Sequence, residues 1–110
     1  MYDMENLARL SDLKRAAPEA MDAFNGFADV VFTDGALSRK AKELMAVAVA
    51  LTTQCPYCIE LHAKDARRFG ASDAELAEAA MVSAIIRAGG AVTHAAHLFS
   101  PLEEVARAAK

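Results

Sequence analysis

The segment SRKAKELMAVAVALTTQCPYC, Ser38 to Cys58, decides the fold, because its closing CPYC means one thing after a β-strand and another after a helix. After a strand, CPYC is the active-site tetrapeptide of a glutaredoxin, and the Val and Thr residues of LMAVAVALTT could furnish that strand. Length and composition decide against it. From Ser38 to Thr53 the chain is dominated by Ala, Leu, Met, Lys and Glu, which favour helix. The charges at Arg39, Lys40, Lys42 and Glu43 run into the apolar part without a turn signal. A thioredoxin-like domain also needs a later cis-proline loop between strands, and the proline that follows the motif, Pro101, lies between helical segments. The stretch therefore reads as a helix from about Arg39 to Thr53 with Ser38 as its N-cap.

Outward from this helix the pattern repeats. Pro18 suits the first turn of PEAMDAFNGFADVVF, and TDGALS breaks the chain before Ser38. Pro56 opens the next helix, Gly70 closes it, and Ser72 with Glu75 forms a capping box for DAELAEAAMVSAIIRA. Gly89 and Gly90 are expected to break or kink that run, with AVTHAAHLF resuming it, and Ser100, Pro101 and Glu103 start a final short helix. The expectation is an all-α, single-domain helical bundle over residues 1–110, without linker or repeat.

Bulk composition narrows the function classes. A chain of 110 residues with 55% apolar residues has enough material for one core. A net charge of −3, with Lys and Arg scattered among Asp and Glu, offers no basic surface for nucleic acid. No run of about 18 purely apolar residues is seen, and MYDMENLARL is acidic where a secretory signal is basic and then apolar. No membrane partner and a cytoplasmic location are expected. In that reducing compartment, two cysteines three positions apart cycle or bind metal rather than staple a fold.

With Cys55 as N-cap and Pro56 as first helical residue, Cys55, Cys58 and His62 stand at i, i+3 and i+7, on one stripe. A thiolate at a helix N-terminus gains typically about 0.3–1 kcal/mol, so at least one thiol should have a lowered pKa. Imidazole suits proton transfer near neutral pH, which makes His62 the candidate acid–base group. Glu43 lies on the apolar LMAVAVAL side, and a buried carboxylate needs a partner. A histidine is the obvious one; the plainer alternative is a solvated glutamate pairing with Arg39 or Lys40 on its own helix. A zinc site could use Cys55, Cys58 and His62 with Glu43 or His94, but no second CxxC or HxxxH closes a tetrahedron. No metal is expected. His94 and His97 of HAAH read as packing or interface histidines outside the site, and no cofactor box is visible.

The segment AELAEAAMVSAIIRAGGAVTHAAHLF is apolar around most of its circumference, broken mainly by Glu75, Glu78 and Arg87. Such a helix must be enclosed on all sides. A domain of this size buries only about two-thirds of its unfolded surface, so neighbouring copies are expected to cover the rest.

Glu43, eleven residues, CPYC, three residues and His62 resemble the Glu-x11-Cys-x2-Cys-x3-His signature of the alkylhydroperoxidase D-like, or carboxymuconolactone decarboxylase, family. The flanks KELMAVAVALTTQCPYCIELHAKDARRFGAS and ELAEAAMVSAIIRAGGAVTH extend the resemblance over roughly residues 20 to 100. It implies an all-α fold and a disulfide-dependent peroxidase or reductase in antioxidant defence. Cys55 and Cys58 would be the redox pair, with Glu43 and His62 a proton relay through a water. A hydroperoxide or disulfide would be the substrate, a thiol-reducing protein or small thiol the partner, and a homo-trimer or homo-hexamer the assembly. Tyr57 stands where members with peroxidase character can carry a histidine. The family's lactone decarboxylase branch needs no cysteines, so the CxxC argues for the thiol branch over that chemistry or a non-catalytic scaffold.

Overall fold

The computed structural model describes residues 2–99 and 107–109. Five helices follow a short 3-10 segment, Met4–Arg9: α1 (Leu10–Ala16), α2 (Pro18–Phe32), α3 (Arg39–Thr53), α4 (Pro56–Arg68) and α5 (Asp73–His94). A second 3-10 turn, Ala95–Leu98, continues α5. There is no strand among the described residues, so the helical reading of Ser38–Thr53 holds.

Local chemistry sets most of these limits. The Ser38 hydroxyl accepts a 3.1 Å hydrogen bond from the Ala41 amide and caps α3. That helix ends on Gln54 in the left-handed region, φ 57°, which costs a non-glycine residue roughly 1–2 kcal/mol. This one turn residue brings Cys55 directly to the N-cap of α4, so α3 and α4 form a tight hairpin. Gly70, with φ 96°, closes α4 where a Cβ would be strained. Ser72 and Glu75 form the expected reciprocal capping box.

The expected break at Gly89 and Gly90 does not occur: α5 runs unbroken through both. Each glycine weakens a helix by about 1 kcal/mol relative to alanine without removing a hydrogen bond, and the helix packs against α3 along its first half. The expected final helix at Ser100 falls outside the described residues. The 3-10 segment and α1 had no counterpart in the sequence reading; Asp3 caps the former, accepting from the Glu5 amide at 3.0 Å.

The buried core is small and made by α3, α4 and α5. Val47, Ala50, Ala66 and Ala71 are its apolar members, and their size lets the helices approach closely. Ser83 of α5, also buried, donates to the Ala48 carbonyl at 2.9 Å, and Lys40 pairs with Glu75 at 2.8 Å across the α3–α5 seam. Beyond that core the chain is extended. Its radius of gyration is 20.1 Å, against roughly 13 Å for a compact chain of this length. The outward face of α5 carries Met81, Val82, Ile85, Ile86 and Val92, all exposed. By length and composition alone Asp73–Leu98 is long and apolar enough to cross a membrane, although, as expected, it holds no uninterrupted run of about 18 apolar residues, being broken by Glu75, Glu78, Arg87 and His94.

Candidate active site

The α3–α4 hairpin brings together all four residues singled out by the sequence. Glu43 is 0% exposed and is the largest fully buried side chain. Its Oε2 lies 2.7 Å from His62 Nδ1 on α4, and its Oε1 accepts a 2.8 Å hydrogen bond from Arg39 Nε one turn back on α3. The two competing sequence readings of Glu43 are therefore both realised, one on each oxygen. The contact with His62 is direct, which corrects the expected intervening water: small residues between α3 and α4 leave the side chains within hydrogen-bond reach. A carboxylate held beside a guanidinium accepts, so His62 Nδ1 donates in this contact and Nε2 is the ring nitrogen left outside it.

Two further groups hold this pair, and the sequence pointed to only one of them. Arg39 was visible at i−4 from Glu43. Phe32, at the end of α2, stacks on the His62 ring with centroids 5.2 Å apart and planes 18° apart, and no sequence signal marked it. The Arg39 guanidinium lies 5.3 Å from the Phe32 ring centroid and 4.5 Å from that of Phe69, in cation–π range of both.

Cys55 caps α4 as expected, its sulfur accepting from the Cys58 amide at 3.4 Å. The two sulfurs are 2.7 Å apart, so little further approach separates them from a disulfide bond of about 2.05 Å. The hydrogen bond between the two sulfurs, and then the Cys58 amide, hold the Cys55 thiol below its ordinary value. The same hydrogen bond, together with burial, pushes Cys58 up. Of the two thiols, Cys55 is the easier to deprotonate and Cys58 the harder.

Cys58 and His62 share two openings. A cavity of about 490 Å³ reaches them from the side of α2 and the N-terminal segment. It is walled by Leu7, Leu10, Phe24 and Leu61, with Asp29 and Asp65 among its polar lining. A second cavity, of about 280 Å³, reaches the same two residues past Ala46, Val49 and Thr53 of α3. Cys55 lines neither.

Among the described residues, one group of metal-type ligands converges: Glu43, His62 and Asp65, with ligand atoms within 4.8 Å of one another. It includes neither cysteine, and both Glu43 oxygens already have partners, so it does not match the zinc set considered from sequence. The His94 and His97 rings lie 5.7 Å apart between centroids with their planes tilted by 39°, and both residues are exposed. Exposed as they are, they do not pack within this chain among the described residues.

The profile of the carboxymuconolactone decarboxylase family matches residues 18–100, which include Phe32, Arg39, Glu43, Cys55, Cys58 and His62. The chain belongs to that family. An uncharacterized family-length relative encoded in the cox locus of Paracoccus denitrificans is 48% identical over 98 residues, covering 89% of this chain and 88% of its own. A crystal structure from Methanobacterium thermoautotrophicum is 37% identical with a TM-score of 0.75, covering 79% of this chain and 98% of its own. A carboxymuconolactone decarboxylase family protein from Legionella pneumophila is 32% identical with a TM-score of 0.72, covering 91% and 89%. A family protein from Thermotoga maritima, for which a part in antioxidative response has been suggested, is 25% identical with a TM-score of 0.58, covering 80% and 94%.

Proposed function

We propose that the protein is a thiol-dependent peroxidase and disulfide reductase that uses Cys55 and Cys58 as its redox pair. The observation that carries this reading is the direct Glu43–His62 contact beside two cysteine sulfurs 2.7 Å apart. Cys58 lines both openings, and its raised thiol needs a neighbouring base to become a thiolate. His62 Nε2 accepts the thiol proton, and Glu43 stabilises the imidazolium that forms. The Cys58 thiolate then attacks the terminal oxygen of a hydroperoxide. The O–O bond breaks, the alkoxide takes the proton back from His62 and leaves as the alcohol, and Cys58 becomes a sulfenic acid. The Cys55 thiolate attacks the Cys58 sulfur, the hydroxide leaves as water on taking up a proton, and the Cys55–Cys58 disulfide closes. Two electrons have passed from the thiols to the peroxide.

A thiol-reducing protein or small thiol restores the pair through Cys55 at the helix tip, and run in the other direction this exchange reduces a partner disulfide. The suggested antioxidative part of the Thermotoga relative agrees with this reading. The lactone decarboxylation in the family's name gives the cysteine pair no role. The exposed apolar face of α5 is covered by neighbouring copies in a closed homo-oligomer, a trimer or hexamer, and light scattering at micromolar concentration should find no stable monomer.

The decisive experiment follows the thiols. Reduced protein treated with an organic hydroperoxide should lose both free thiols, form an intramolecular Cys55–Cys58 disulfide and release one equivalent of alcohol. In Cys55→Ser, a sulfenic acid should persist on Cys58 and be trapped by dimedone. Free thiols that survive both peroxide and disulfide challenge would remove the redox reading.

A further inference from the structure

Tyr57 stands between the two cysteines and takes no part in the relay, yet the N-terminal segment converges on it. Asn6 Nδ2 donates to the Tyr57 hydroxyl at 3.1 Å, and the Asp3 amide lies 3.5 Å from the same oxygen. The Tyr2 ring meets the Tyr57 ring edge-on, with centroids 5.0 Å apart. Three residues further along α4, the Glu60 carboxylate accepts a hydrogen bond from the Tyr2 hydroxyl. That bond is the main reason the Tyr2 phenol is pushed up to about 12, so it remains a donor at physiological pH. All these anchors fall on the stretch of α4 that carries Cys58.

Behind the anchors, Leu7 and Leu10 form one wall of the larger cavity, facing Phe24 and Leu61, while Cys58 and His62 lie in the same lining. At about 490 Å³ the cavity lies within the size range of small-molecule sites. Its walls are mostly apolar. Arg39 in the lining is already paired with Glu43, so Asp29 and Asp65 leave the polar part net acidic and disfavour a carboxylate there, which favours a neutral ligand.

We propose that the N-terminal segment, residues 2–10, is the substrate-selecting wall of this site: docked on Tyr57 and Glu60, it shapes the Cys58 cavity to hold the organic group of an uncharged, bulky alkyl or aryl hydroperoxide. The proposal rests on the peroxidase reading above and adds the element that sets its substrate class. It also gives Tyr57 a task that a histidine at that position would not perform, since the phenol hydroxyl receives Asn6 while its ring receives Tyr2. The same wall keeps large protein disulfides away from Cys58, leaving Cys55 for exchange with a thiol partner.

The test uses the full chain and three probes of rising bulk: hydrogen peroxide, tert-butyl hydroperoxide and cumene hydroperoxide. Disulfide formation is followed in wild type, in a Tyr2→Phe/Asn6→Ala double variant that undoes the anchors, and in Leu7→Trp, which narrows the cavity. Helical circular dichroism confirms that each variant folds. In wild type, cumene hydroperoxide should react fastest. In the double variant, the ratio of the cumene hydroperoxide rate to the hydrogen peroxide rate should fall about tenfold, the scale of a few lost apolar contacts. Leu7→Trp should slow the three probes in order of size, cumene hydroperoxide most. Equal loss with all three probes, or an unchanged ratio in both variants, would overturn the selecting role while leaving the redox pair intact. A wild type inert to all three would remove the peroxidase reading itself, and this proposal with it.

Discussion

Helices α3 and α5 are written in nearly the same small apolar alphabet, yet α3 buries more of it: Met45 and Val49 are its exposed large apolar residues, against five on α5. On α3, Val47 and Ala50 are 5% and 3% exposed, whereas on α5 Ile86 and Val92 are 67% and 74% exposed. The difference follows from what each helix must enclose. Helix α3 carries Glu43, whose carboxylate is tolerable out of water only because Arg39 and His62 each take one oxygen. The chain's limited burial is concentrated around that group. Helix α5 contributes Ser83 and its first turns to the core, and directs its apolar face away. One helix is packed around a buried carboxylate; the other leaves an apolar face outside the core.

The largest effects should come from the buried side of this contrast. Glu43→Gln or His62→Ala should slow oxidation of the thiols by about 10- to 1,000-fold, the usual contribution of a positioned acid–base group. Helical content and assembly should be retained. In wild type, thiolate absorbance should rise in two steps, Cys55 below the ordinary thiol value and Cys58 above it. Cys58→Ala removes the hydrogen-bond partner that holds Cys55 down, so the remaining thiol should titrate higher than the first step of wild type. Oxidation rates unaffected by either relay variant would show that the buried carboxylate is structural only.

Arg39→Met should have an intermediate effect. It keeps most of the side-chain volume but leaves one Glu43 oxygen without its donor, at a cost of about 1–3 kcal/mol in stability. Thermal denaturation would register this as a lower Tm. A variant as stable as wild type would mean that water reaches Glu43 and that its burial is less demanding than the geometry indicates.

Gly89→Ala should have the smallest effect, and its sign bears on the open face. Nothing lies within 4 Å of a Cβ added at Gly89. Alanine should therefore stabilise α5 by about 0.5–1 kcal/mol, again read as a change in Tm. A loss of stability instead would place a neighbouring copy tightly against that glycine.

Much of this protein was legible without coordinates, and what was legible is local. Ser38, Pro56, Gly70 and the Ser72–Glu75 capping box act within about one helical turn, and the ends of α3, α4 and the start of α5 fall where they indicated. The Cys55–Cys58 relation and the lowered Cys55 thiol follow from positions on a single helix N-terminus. Glu43 with His62 was reachable because a spacing pattern carried it across the turn between two helices. Tertiary structure alone decided the rest: that Glu43 meets His62 directly, that Phe32 stacks on the imidazole, that the N-terminal segment lies on Tyr57, and that α5 runs through two glycines with one face uncovered. These contacts join residues far apart in the chain. Helix-terminus chemistry is decided by neighbours that sequence specifies, whereas the partner of a side chain across helices depends on how the helices pack, which no single turn contains.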